Sequence, residues 1–300
     1  MQILKSLARA AGALALMLTS GCAVADADPQ VTAERPTHGP ALWKLAEADT
    51  TIYLFGTVHA LPSDVDWYDG HIAAAFEESD ELVTEIAMDD QLALTQALTG
   101  SAMLADGQNL REMMTPEDRK EYEQAMIDLG LPPGALDPVE PWYAAMNLSV
   151  LPLVQAGIDP AAGVDMTLTR AGANKRKDAL ETLDEQVALF DDMPVSAQLT
   201  FLDATVDAVP EAAKSLRELI DLWVVGDAVG LAAKMNEGLE DPALHQRLLT
   251  DRNTNWAGWI EHRLAQPGTV FIAVGAGHLA GDGSVQEQLS KRGYKVERVH

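Results

Sequence analysis

The chain is 300 residues long, 47% hydrophobic and 22% charged, with a formal net charge of −25 at pH 7. That length can bury a large core and is too short for more than two ordinary domains. A polyanion of this kind is repelled by phosphate backbones, which excludes nucleic acid as an expected partner and leaves solubility as the plainest role of the acidity.

The first segment reads as a targeting signal. Lys5 and Arg9 form a positive start, and Ala10 to Leu18 is an apolar run too short for a stable bilayer span. Two processing sites compete after it. Thr19-Ser20-Gly21-Cys22 resembles a lipoprotein box, with Thr where Leu is usual, and its cysteine would carry the lipid; Ala23-Val24-Ala25 is an ordinary small-x-small site. Cys22 is the only cysteine of the chain, so no internal disulfide can form. The expectation is an exported protein, periplasmic or anchored to the envelope through a lipid at Cys22, which would be its only membrane contact. Residues 1–25 would be signal, 26–40 a flexible tether, and 41–300 the folded domain.

The folded part opens with a predicted hairpin, Ala41–Leu45 and Thr51–Phe55, with Gly56 ending the second strand. Apolar spacing predicts a helix from Val65 to Glu78, followed by a strand over Glu81–Ala87. Strand, crossover, strand is the signature of a parallel βαβ unit. A helical insertion is expected over about 90–240, with helices at Gln91–Leu104, Pro116–Leu129, Pro141–Ala156, Asp184–Leu189, Ser196–Ala208, Pro210–Val225 and Val229–Glu237, and a short strand at Arg176–Leu180. Met103, Met113, Met114, Met126 and Met146 punctuate it; core filling and an adaptable binding surface are both open to them. A helix over Asp241–Gln266, a buried strand Thr269–Val274, a helix Val285–Arg292 and a strand Lys295–Val299 close the chain. The fold class is α/β, a mixed, mostly parallel sheet with flanking helices and a helical insertion.

Two strands end in Gly-x-x-His turns, Gly56–His59 and Gly275–His278, and the strand between them in sequence carries Glu85 near its end. In an open α/β sheet the ligand crevice lies outside the carboxyl ends of parallel strands. If the three strands are parallel neighbours, His59, His278 and Glu85 emerge on one edge, and Gly56 and Gly275 let the backbone turn sharply off the strand and leave room close to the imidazoles. Two imidazoles and a carboxylate suit a divalent metal with open positions, and suit equally a metal-free site in which one histidine is a general base oriented by Glu85. Alone, each histidine is more simply a satisfied core residue; a glutamate in an apolar strand is harder to dismiss, because an unpaired buried carboxylate is costly.

The glycines of Gly275-Ala276-Gly277 do not make a dinucleotide loop, since Gly281 follows Gly277 by four residues rather than three. The sequence has no serine-nucleophile elbow, Walker loop, His-Glu-x-x-His or Cys-x-x-Cys motif. His38, His71, His245, His262 and His300 read as surface residues.

Together these stretches resemble the TraB/GumN (TraB/PrgY) family, to which the Tiki proteases are related. The resemblance runs from Leu42-Trp43-Lys44 and Tyr53-Leu54-Phe55-Gly56-Thr57-Val58-His59 through Glu85, Gly163-Val164-Asp165, Leu180-Glu181-Thr182 with Gln186, and Arg252-Asn253 with Trp256. It ends with Gly275-Ala276-Gly277-His278-Leu279 and Gly293-Tyr294-Lys295-Val296, so it spans about residues 41–299. The resemblance implies a compact α/β fold and a metal-dependent protease-like site. His59, Glu85 and His278 would bind a divalent metal of manganese or cobalt type and act in catalysis, with Glu181, Arg252 and Asn253 supporting the site. Peptide or a small molecule would be the substrate. Two other readings stay open: a non-catalytic envelope protein binding a metal, a haem-like ligand or a peptide, and a scaffold that sequesters a signalling peptide.

Overall fold

The computed structural model describes residues 39–62, 64–68, 70–88, 91–236 and 245–300. The predicted signal, Cys22, His38, nearly all of the tether and the start of the helix predicted from Asp241 lie outside them. Among the described residues no helix is long and apolar enough to cross a membrane.

A hairpin of β1 (Leu42–Ala46) and β2 (Thr50–Thr57) starts the fold, paired antiparallel with Leu42 opposite Phe55. Helix α1 (Gly70–Glu77) leads to β3 (Glu81–Thr84). Helices α2 (Gln91–Ser101), α3 (Pro116–Asp128), α4 (Pro141–Gln155) and α5 (Val164–Ala171) follow, then β4 (Arg176–Ala179). Next come α6 (Leu183–Asp191), α7 (Val195–Ala208), α8 (Ala212–Val224) and α9 (Ala228–Asn236). A π-helical turn, Gln246–Thr250, runs into α10 (Asp251–Leu264), and β5 (Gly268–Gly275), a 3-10 turn (Ala276–Leu279), α11 (Val285–Lys291) and β6 (Glu297–Arg298) finish the chain.

The strand order is β4-β3-β5-β2-β1-β6. Strands β4, β3, β5 and β2 are mutually parallel, whereas β1 is antiparallel to both β2 and β6. The sheet is therefore mixed and mostly parallel, as the sequence implies. The predicted β2-helix-β3 unit is present, but its two strands are not adjacent: β5, from the end of the chain, fills the gap between them. Position 56 of β2 pairs with Val274 of β5, and Thr84 of β3 pairs with Ala273, so the three carboxyl ends lie level.

Period-two alternation splits the core into two layers. Tyr53, Phe55, Phe271 and Ala273 point to one face, where α1, α4, α5, α7 and α8 cover them around Trp142, Phe76 and Leu148. Ile52, Leu54, Val270, Ile272 and Val274 point to the other and pack on Trp256, Ile260 and Leu289 of α10 and α11. Strands apolar on both faces read as continuous hydrophobic runs, which is why β2 and β5 stand out in the sequence. Of the methionines, Met126 and Met146 fill the core, whereas Met103 is 48% exposed.

Several boundaries differ from the sequence reading. The first helix begins at Gly70, which has φ +45°, rather than at Val65. The residues before it hold Trp67 stacked on Phe55 at 5.7 Å between ring centroids, an anchoring that helical continuation would undo. Strand β3 ends at Thr84, whose hydroxyl donates to the Ile86 carbonyl and bends the chain there. Glu85 thus sits one residue beyond the strand. Gly56 does not end β2, which continues through Thr57. Helix α5 had no counterpart among the predicted elements, its eight residues being too few to show a clear period.

Candidate functional site

The three level strand ends bring together residues far apart in sequence. A methyl group built on Gly275 would lie 3.2 Å from Glu85 Oε1, 3.6 Å from His278 Cδ2 and 3.7 Å from His59 Nε2, so Gly275 marks the centre of the cluster. All three side chains are buried, with His59 at 7%, Glu85 at 1% and His278 at 4% exposure. Neither Gly56 nor Gly275 has positive φ; Gly275 stands at φ −49°, ψ 132°, which any residue can adopt. The glycines serve space rather than chain reversal. A methyl on Gly56 would come 3.0 Å from the Cα and Cβ of Ala276, and Gly56's carbonyl is clasped by the Trp223 indole N–H at 2.7 Å.

Each group is held by a different partner. His59 Nδ1 meets Asp165 Oδ2 at 2.6 Å, both side chains buried. Asp165 reaches it because α5 starts tight against the loop after β2: Val164 N–H donates to the Val58 carbonyl at 2.9 Å. A methyl on Gly163 would fall 2.2 Å from the His59 carbonyl oxygen, so only glycine permits the approach. His59 Nε2 makes no hydrogen bond with the described residues. It is the free ring nitrogen of the site.

Glu85 is saturated. Its Oε1 accepts from the Gly275 N–H at 2.7 Å, and its Oε2 accepts from Gln186 Nε2 at 3.0 Å and Arg252 Nη2 at 2.6 Å. Gln186 is placed by the capping box of α6, in which Thr182 and Glu185 hold each other's backbone N–H. His278 packs against Trp256, with ring centroids 4.4 Å apart. Its Nδ1 faces Asn253 Oδ1 at 2.6 Å and its Nε2 faces Arg252 Nη1 at 3.1 Å. The Asn253 amide nitrogen donates to the Gly283 carbonyl, which turns its oxygen toward the ring. Arg252 can only donate, so Nε2 accepts and the proton sits on Nδ1.

These partners separate the two imidazoles. Burial works against charging His59, but the Asp165 carboxylate opposes this and its pKa ends above the ordinary value. Burial and the Arg252 guanidinium push His278 down to about 3, leaving it neutral. Burial alone would raise Glu85, yet the Arg252 guanidinium first, then the two imidazoles once they are protonated and the Gly275 N–H, hold it down to about 2.

The structure therefore brings together His59, Glu85, His278, Gly56 and Gly275, and places Arg252, Asn253 and Glu181 around them. Two participants had no role assigned from sequence, Asp165 and Gln186. Both lie in stretches that carry the resemblance, which was the available signal; the burial of Asp165 at the start of α5 is seen only in the structure.

Comparison with known proteins bears on the same residues. A model of the TraB/PrgY/gumN family matches residues 41–298. The chain belongs to this family. It is 23% identical over 256 residues to the uncharacterized protein YbaP of Escherichia coli K12, covering 83% of this chain and 92% of that protein. It is 24% identical over 243 residues to the uncharacterized YbaP of Shigella flexneri, covering 79% and 87% of the two chains. An uncharacterized protein of Treponema pallidum is 20% identical over 265 residues, covering 83% of this chain and 80% of its own. No solved structure matches the chain. All three relatives of this family member are thus similar over most of their length, and none has a function stated in its name.

The residues present do not fit a divalent metal in this arrangement. A metal needs lone pairs, and Arg252 takes those of His278 Nε2 and Glu85 Oε2. A metal bonded to either atom, at about 2.0–2.2 Å, would fall in the space of the guanidinium nitrogens. Among the described residues, no group of three or more His, Cys, Asp or Glu side chains is placed to hold a metal ion. Glu85 Oε1 and His59 Nε2 remain, too few for a stable site.

Proposed function

We propose that this family member is a hydrolase of acyl bonds, with peptide bonds as the first candidates, in which His59 Nε2 carries the proton. The observation behind this reading is the asymmetry of the site: one imidazole is backed by a buried carboxylate at 2.6 Å and keeps its other nitrogen free, while its neighbours are locked. That is the pattern of an oriented general base. The neutral ring would take a proton from water as the water oxygen bonds to the substrate carbonyl carbon. The same proton would pass to the leaving nitrogen as the C–N bond breaks. Asp165 would hold the Nδ1–H and stabilise the imidazolium formed between the two steps. No step needs a metal.

The test is cleavage of a peptide library by the purified protein, with and without chelator, alongside His59→Gln. Turnover lost in the variant supports the proposal; turnover that survives in a folded His59→Gln protein removes it. A second reading, a non-catalytic binder of peptide, is favoured by the internal pairing of Glu85, Arg252 and His278, which leaves His59 Nε2 as the one ring nitrogen for chemistry. Stoichiometric retention of peptide without turnover would establish it instead.

We also propose export, on the charged start, apolar run and processing sites of residues 1–25. The mass of the mature N-terminus distinguishes lipid on Cys22 from cleavage after Ala25, and an uncleaved chain would refute both.

A further inference from the structure

We infer that Arg252 is the resident cation of the site, standing in the position that a divalent metal would need. The guanidinium has five N–H donors, and every one is used. Nε donates to Glu181 Oε1 at 2.8 Å, and Nη2 donates to Glu181 Oε2 at 2.9 Å and Glu85 Oε2 at 2.6 Å. Nη1 donates to His278 Nε2 at 3.1 Å and to the Leu248 carbonyl at 3.3 Å. Its carbon lies 4.8 Å from the centre of the Trp256 ring, and the Trp256 indole N–H donates to Glu181 Oε1 at 2.9 Å. Arg252 and Trp256 are four apart on α10, so they share a face and grip Glu181 together.

Glu181 is what makes this placement more than a side chain lying in a vacancy. Its carboxylate hydrogen-bonds none of the three central side chains and is held only by Arg252 and Trp256 among the described residues. It is fixed by the β3–β4 ladder, which continues past both strands as Glu181 N–H donates to the Glu85 carbonyl at 2.8 Å. A metal bound by Glu85 and His278 would not call for a second, partly buried carboxylate dedicated to an arginine. A guanidinium meant to stay needs one, because it must neutralise charge on both sides and satisfy a planar fork. Arg252 then does what a cation does for such a centre: it fixes Glu85 as a carboxylate and His278 as the Nδ1–H tautomer, and leaves His59 as the one movable proton carrier.

The experiment is a calorimetric titration of the full chain with manganese and with zinc, paired with elemental analysis of protein purified without chelator. The reference is His59→Ala. A double variant, Arg252→Gln with Glu181→Gln, frees the Glu85 and His278 lone pairs while leaving the summed charge of Glu85, Glu181 and Arg252 unchanged. Wild type is expected to show no saturable binding that depends on His59, and chelator is expected to leave its thermal midpoint unmoved. The double variant is expected to bind zinc at least tenfold more tightly than wild type. Stoichiometric, His59-dependent metal in the wild-type protein would overturn the inference, as would a folded double variant with no gain in affinity. Should the double variant not fold, the wild-type titration decides alone. The readout is binding, so it is independent of whether any peptide is turned over.

Discussion

Gly275→Ala places a single methyl at the centre of the site, and its two consequences have different sizes. The backbone angles, φ −49° and ψ 132°, suit alanine, so no conformational strain arises, and the loss of chain freedom in the unfolded state stabilises by about 0.4–1 kcal/mol. Against this, the methyl would sit 3.2 Å from Glu85 Oε1, a few tenths of an ångström too close. Glu85 cannot yield freely, being held by the Gly275 N–H, Gln186 and Arg252. Overpacking of this kind costs about 1–3 kcal/mol, so a net loss between about 0 and 2.6 kcal/mol is expected, read as the midpoint of urea unfolding. Function should suffer far more. The methyl stands 3.7 Å from His59 Nε2, where a reacting carbonyl or water must lie within about 3–3.5 Å of its partner, and displacement by about 1 Å costs on the order of 100-fold in rate. Peptide turnover per folded molecule is the assay. A folded Gly275→Ala protein with wild-type turnover would show that the reacting atoms do not meet beside Gly275, and the assignment of the centre would be wrong.

Asp165→Asn keeps the shape of the Nδ1 partner and removes its charge, so turnover should fall about 10²–10⁴-fold. His59's raised pKa should fall in this variant, moving the acid limb of the pH–rate profile to lower pH; an unmoved limb would mean that Asp165 does not set it. Gly163→Ala would press a methyl 2.2 Å from the His59 carbonyl oxygen, backbone that cannot move aside, and is expected to destabilise by about 3 kcal/mol in urea unfolding; a neutral result would refute the close approach. Stability should also fall in acid. His278 is depressed to about 3 and Glu85 to about 2, so the unfolded chain takes up their protons first, and stability is lost from about pH 6.5 downward, by His278 between 6.5 and 3 and by Glu85 below 4.5. His59 has the opposite sign, contributing most below its ordinary pKa and losing that contribution as pH rises through its raised value. Each group changes the slope by at most about 1.4 kcal/mol per pH unit, and His278→Asn should flatten the limb between 6.5 and 4.5; an unchanged slope in urea midpoints would contradict the neutral state assigned to His278.

Sequence alone determined the parts whose signal is local. Strands β2 and β5 are apolar on both faces and carry a glycine at or next to their carboxyl ends, so their existence, the β1–β2 hairpin and the identity of the two Gly-x-x-His turns were legible. Glu85 was legible as well, since a carboxylate among Leu82, Val83 and Ile86 demands a partner. What the partner is was not. Arg252 lies 167 positions away, on a helix whose register relative to β3 depends on Trp256 packing against the far face of the sheet. The order β3-β5-β2 was equally hidden, because a strand from the end of the chain inserts between two that look consecutive, and no local pattern records that choice. Of the two jobs read for the glycines, the sharp turn is absent and the room beside the imidazoles is present: a side chain there would strike Ala276 or fill the gap among His59, Glu85 and His278. The histidines are alike in sequence, and only tertiary contacts make them differ, a buried carboxylate behind one ring and a buried amide and guanidinium around the other. Residue identity supplied the chemical groups; which lone pairs remain free was decided by packing, because that depends on partners brought from every part of the chain.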